Sequence, residues 1–223
     1  KETFNLFKKY QNKYSNFRVI DANYEFNYSK INNQAVKEAK GEYIVLLNND
    51  TEIITPHWLQ IMVGYAMQPH IGAVGTKLLY PDNTVQHAGI ILGIGGIAQH
   101  CFIDNPRDDV GFYGRLSVPF NYSAVTAACL MVSKEKYLEV NGLEEDLQVA
   151  FNDVDFNLKL LKQGYYNICL NHVELYHHES KSRGDDTVDT SSAKYRRFVQ
   201  EHDYIKDKWG YMLYNDRFYN PNL

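Results

Sequence analysis

Three clusters of polar residues stand where the chain passes between apolar strand-like runs and helix-like segments, and each carries side chains able to do chemistry. Asn48-Asn49-Asp50 follows the apolar run Tyr43 to Leu47 (YIVLL). Open α/β sheets place their ligands beyond such strand ends. A carboxylate there can hold a divalent cation that bridges two phosphates, because Mg²⁺ and Mn²⁺ are hard ions that prefer oxygen ligands and keep positions open for substrate. Asp50 is the candidate ligand. Asn-Asn-Asp-Thr is equally good turn chemistry, so the local pattern leaves both readings open.

The second cluster, Asn152-Asp153-Val154-Asp155, opens a segment whose apolar side, Val154, Leu158 and Leu161, recurs at helical spacing. Carboxylates in a first turn favour the helix dipole, and Asp155 has Lys159 four residues on as a partner, which accounts for Asp155 without catalysis. Asp153 lies outside the stripe and could take a proton from a hydroxyl as general base. In the third cluster a strand-like VELY ends in His177-His178-Glu179-Ser180-Lys181-Ser182-Arg183-Gly184. Imidazole can complete a Mn²⁺ shell, while Lys181 and Arg183 can pair with a pyrophosphate. Gly184 relaxes the backbone, so the segment reads as a mobile lid. One such histidine alone is more often structural; three clusters at strand ends and helix starts argue together for one site.

The elements that must position these clusters alternate between helix and strand. Phe4, Phe7 and Tyr14 fall on one helical face in an opening segment without Met, so the chain is expected to be cut from a longer protein. Arg18 to Ala22 reads as a short strand. Asn27 or Ser29 caps a helix running to about Ala39, with Gly41 as its stop. Thr55-Pro56 opens a helix through Met67, Ile71 to Leu79 and Ala124 to Val132 are buried strands, and Ser133 caps a short helix. Asn152 caps a helix through Gln163 with Gly164 behind it, and Thr187 to Trp209 is a helical tail. Apolar runs buried on both faces predict a mainly parallel central sheet flanked by helices, an α/β fold.

Composition narrows the function. With 23 basic and 27 acidic residues the formal charge is −4, and no basic stripe interleaves with aromatics, which argues against nucleic acid. Three cysteines, far apart and without a CxxC pair, suggest neither a disulfide framework nor a zinc site and fit a reducing compartment. No apolar run reaches the roughly 18 residues of a spanning helix.

GEYIVLLNNDTEI, GAVGTKLLYPDNTVQHAGIILGIGG, NYSAVTAACLMV, AFNDVDFNLKLLKQGYYN, LYHHESKSRG and FYNPNL together resemble the bacterial family 2 glycosyltransferases that build O-antigen, rhamnan and similar surface polysaccharides. The resemblance covers nearly the whole chain. It implies a GT-A fold, a nucleotide diphosphate sugar donor, a glycan or lipid-linked glycan acceptor, and Mn²⁺ or Mg²⁺ held at the family's Asp-x-Asp motif, which Asn48-Asn49-Asp50 matches with Asn in first place. Asp50 keeps the metal role, with Asn48 and Asn49 beside the donor. Asp153 matches the family's base, although Asn152 replaces the usual Glu. His177 matches the histidine before the donor-covering loop, with His178, Lys181 and Arg183 as donor contacts and His178 as the alternative ligand. The family's first strands, which grip the nucleoside base, are not recognisable here, so residues 1–186 are expected to form a partial GT-A domain and 187–223 a helical extension packed on it.

The resemblance thus implies an inverting hexosyl- or rhamnosyltransferase of cell-surface polysaccharide synthesis, cytoplasmic or at the inner face of the cell membrane. Asn at 48 and 152 keeps open a non-catalytic glycan- or nucleotide-binding module, and a nucleotidyltransferase on a similar sheet is a second alternative.

Overall fold

The computed structural model describes residues 2–178 and 189–220. In chain order the helices and strands are α1 (Glu2–Lys13), α2 (Tyr28–Glu38), β1 (Tyr43–Leu47), β2 (Thr51–Ile53), α3 (Trp58–Ala66), β3 (Ile71–Leu79), β4 (Val85–His87), β5 (Ile90–Leu92), β6 (Ala98–His100), β7 (Pro119–Tyr122), β8 (Cys129–Ser133), α4 (Lys134–Glu139), α5 (Asn152–Lys162), β9 (Tyr166–His177) and α6 (Ala193–Leu213). Local chemistry explains several boundaries. Asn27 accepts a hydrogen bond from the Lys30 amide and starts α2, Ser133 accepts from Lys136 and starts α4, and Gly164 takes a positive φ of 92° behind α5.

The central sheet runs β1-β8-β3-β9-β2, with β4 on β3 and β7 on β9; β5 and β6 form a separate pair. Among the described residues only β3 and β9 run parallel within the sheet, and every other pairing is antiparallel, which corrects the expected mainly parallel arrangement. The apolar runs misled because burial on both faces comes from flanking helices, whichever way the neighbouring strand runs. All nine residues of β3 are buried. Met62 and Ala66 of α3 pack with Val74 and Leu78, while Phe156 and Leu160 of α5 pack with Ala73.

Three other local expectations are not met. Arg18 to Ala22 forms no strand. Thr55 does not cap α3: its amide and hydroxyl are taken by the backbone of Glu174 in β9, and the helix starts after His57, which adopts a left-handed conformation. Asn152 likewise is not a cap; Phe151 precedes α5 with φ 59°, and the Asn152 amide turns back to the Val149 carbonyl. At the far end, Ile205, Trp209 and Leu213 of α6 join Leu147, Val154, Leu158 and Leu161 in one apolar cluster. No described helix is long and apolar enough to cross a membrane.

Candidate functional site

β1 ends at Leu47, and the next three residues turn the chain into β2. The Asn48 amide donates to the Ala128 carbonyl at 2.9 Å, and the Thr51 hydroxyl closes the turn on the Asn48 carbonyl at 2.8 Å. β2 then pairs with the end of β9, Thr51 opposite His177. Side chains 48 and 50 thereby meet the His177 ring, while Asn49 is exposed at the turn. Successive side chains at a strand end alternate in direction. His178 accordingly turns away, its Nε2 3.4 Å from exposed Glu52, and only its backbone amide reaches the Asp50 carbonyl.

The contacts around His177 are polar and specific. Its Nε2 is 3.2 Å from the Asn48 side-chain amide and 3.2 Å from Asp50 Oδ1, and its Nδ1 is 2.7 Å from Gln86 Oε1. Asp50 Oδ1 is shielded from solvent and accepts no hydrogen bond from the described residues. Two ligand atoms facing one another in this way fit a shared cation, since neighbouring positions around an octahedral ion such as Mg²⁺ stand about 3 Å apart. Among the described residues no group of three His, Cys, Asp or Glu side chains gathers to hold a metal, so Asp50 and His177 supply at most part of a shell.

Asp153 approaches from α5 across one stretch of chain. Its Oδ2 accepts from the Ala127 amide at 3.2 Å and its Oδ1 from Val154 at 2.8 Å. The Tyr28 hydroxyl holds the Ala127 carbonyl at 3.0 Å. Burial, followed by the charge of Asp153, pushes the Tyr28 phenol well above its ordinary range, so it stays a neutral donor. Segment 123–128 therefore bridges the two sides: Ala127 binds Asp153, and Ala128 binds Asn48. Two glycines allow it to lie so deep. A Cβ on Gly75 would stand 2.6 Å from that of Val125, and Gly89, with φ 113°, leaves room for the Tyr122 ring.

Sequence reasoning missed the residues behind the site. Gln86 and His87 are almost fully buried on β4, and His87 stacks edge-on against His100 with 4.7 Å between ring centroids. Burial, then the neighbouring His100 and His177, hold His87 well below the ordinary histidine range, leaving it neutral. The available signal was a run of two polar residues inside an otherwise apolar stretch, Val85 to Leu92. Lys181 and Arg183, with the rest of the expected lid after His178, lie outside the described residues.

Residues 1–124 match the profile described as Glycosyl transferase family 2. Over 207 residues the chain is 46% identical to the uncharacterized protein y4gI of Sinorhizobium fredii, covering 92% of this chain and 22% of that protein. Over 210 residues it is 38% identical to the O-antigen biosynthesis protein RfbC of Myxococcus xanthus, covering 89% of this chain and 15% of that protein. It thus spans less than a quarter of either relative. Among solved structures, GalNAc-T7 with UDP, GalNAc and Mn²⁺ superposes with a TM-score of 0.69 over 94% of this chain and 40% of that one, at 12% identity. The mannosyltransferase PcManGT of Pyrobaculum calidifontis, in complex with GDP-Man and Mn²⁺, gives 0.58 over 90% and 49%, at 18% identity. At such identities the likeness is one of fold, and that fold is GT-A.

Proposed function

From the premise that this chain belongs to glycosyl transferase family 2, we propose that it carries the centre of an inverting glycosyltransferase, which moves a sugar from a nucleotide diphosphate sugar to a glycan hydroxyl in cell-surface polysaccharide synthesis. The observation that carries this reading is the bare Asp50 Oδ1 facing His177 Nε2 at 3.2 Å. Asp50 and His177 would hold a divalent ion, which neutralises charge on the departing diphosphate. Two solved neighbours of the same fold were obtained with Mn²⁺ and a nucleotide or nucleotide sugar, which supports that assignment.

The chain's own groups do the rest. Asn48 steadies the His177 ring, and Asn49, exposed at the turn, is available to the donor. Asp153, gripped by two backbone amides, keeps lone pairs for the acceptor hydroxyl and takes its proton as that oxygen attacks the anomeric carbon. One displacement with one base inverts the anomeric centre and needs no covalent enzyme intermediate. The 38% identity to an O-antigen biosynthesis protein supports a surface-polysaccharide acceptor. Three buried free cysteines fit a reducing, cytoplasmic setting.

The test is Asp50→Ala in the whole protein. Titration with UDP or GDP in the presence of Mn²⁺ should show metal-dependent binding lost while thermal unfolding is retained. Unchanged Mn²⁺-dependent affinity would refute the role of Asp50.

A further inference from the structure

Gln86 lies 2% exposed on β4 and touches His177 twice. Its Nε2 donates to the His177 carbonyl at 3.3 Å, and its Oε1 stands 2.7 Å from the ring Nδ1. A carbonyl oxygen only accepts, so the amide nitrogen of Gln86 must face it, which leaves Oε1 to face the ring. Oε1 also only accepts, so the hydrogen of a neutral His177 belongs on Nδ1. Its Nε2 then carries a lone pair and no hydrogen. Two features agree. Asn48 presents its amide nitrogen, a donor, to that atom at 3.2 Å. Asp50 Oδ1, equally close, makes no hydrogen bond with it, as two acceptors must.

We infer that Gln86 is a positioning residue that fixes the tautomer of His177, holding Nε2 as a lone pair aimed beside Asp50 and ready for a divalent cation. Ligating histidines are commonly set by the partner of their other nitrogen, and loss of that partner costs about 10- to 100-fold in metal affinity. Without Gln86 the Asp50 carboxylate is the strongest acceptor near the ring among the described residues and draws the hydrogen to Nε2, closing the site on itself. The backbone also places Gln86 well: β4 pairs with β3, whose other edge carries β9, so both partners are fixed by one sheet. His100 adds a contact from β6, its Nδ1 3.1 Å from the Gln86 carbonyl.

The cation role rests on the reading in the preceding subsection, whereas the tautomer can be read without metal. Nitrogen-15 ring shifts of His177 in the metal-free whole protein, at a pH where the ring is neutral, should show the hydrogen on Nδ1. Gln86→Leu should move it to Nε2 and weaken Mn²⁺ binding, measured by electron paramagnetic resonance with Mn²⁺ alone, by about 10- to 100-fold. Gln86→Glu, whose carboxylate also accepts from Nδ1, should restore the tautomer and most of the affinity. A wild-type ring with its hydrogen on Nε2 overturns the inference even if Gln86→Leu fails to fold. Gln86→Leu with unchanged tautomer and unchanged Mn²⁺ affinity overturns it as well. Retained Mn²⁺ affinity in Asp50→Ala would instead sink the metal reading and leave the tautomer result standing.

Discussion

Asp153 and Asp155 sit two residues apart at the start of α5, and the two faces of that helix use a carboxylate in opposite ways. Asp155, fully buried, is shared among the Trp209 indole at 2.8 Å, the Lys208 ammonium at 2.8 Å and Lys159 at 3.3 Å. Burial works against the charge on Lys208, yet hydrogen bonds to Asp155 and Glu144 outweigh it and hold the ammonium above its ordinary range. Asp153 has backbone amides for company, and no cation pairs with it among the described residues. A carboxylate surrounded by cations is committed to the fold. One oriented by amides keeps its charge in place and its remaining lone pairs free for a substrate.

The largest expected effect lies on the Asp153 side. Asp153→Asn in the whole protein should lower turnover by roughly two to four orders of magnitude, the share supplied by general-base catalysis. Stability should change by about 1 kcal/mol, the worth of one hydrogen bond. Steady-state rates beside urea unfolding test both halves, and near-normal turnover would erase the contrast with Asp155.

Asp155→Ala should do the reverse. It leaves the Trp209 indole N–H without its acceptor and removes the buried charge shared by Lys159 and Lys208, which keep the Gly142 carbonyl and Glu144 as partners, so the cost should be about 3 kcal/mol, the low end for a broken buried ion pair. Thermal unfolding should show the loss, while donor affinity of the remaining folded protein stays the same. A fall in affinity without a fall in stability would place Asp155 with the site.

The smallest effect concerns the loop that presents Asp153. Glu201 of α6, 3% exposed, accepts from the amides of Gln148, Val149 and Ala150 just before α5. Burial pushes its carboxyl up, offset in part by those amides and Arg197. A folded value above the unfolded one means that the proton favours the folded state. This contribution is fully present below the ordinary glutamate value of about 4.3 and is lost as pH rises through the raised folded value. Glu201→Gln, always neutral, should flatten that part of the stability profile and shift neutral-pH stability by about 1 kcal/mol. Parallel urea-unfolding profiles of the two proteins from pH 4 to 7 would show that Glu201 does not titrate in this way.

The division between Asp153 and Asp155 was legible from spacing, because helix periodicity and the i, i+4 partner Lys159 are local properties. So were the Ser133 cap, the α2 cap as far as a choice between Asn27 and Ser29, and the strands around YIVLL and Ile71 to Leu79. What spacing could not show is pairing between distant segments. Thr55 looks like a cap until Glu174 claims it, and nothing near β3 in sequence says that β8 approaches antiparallel. Gln86 escaped for the same reason: its role exists only once β9 brings His177 to it.

The length and place of β9 have a consequence for synthesis. This strand supplies a whole edge for β3 and carries both β2 and β7, yet it is made long after them. At about 5–20 residues per second, the chain between Leu79 and Tyr166 takes on the order of ten seconds to emerge. Throughout that interval the apolar β3 presents an unpaired edge, the kind of surface on which strands of other chains can add. A nascent chain stalled before Tyr166 is therefore a natural client for a chaperone.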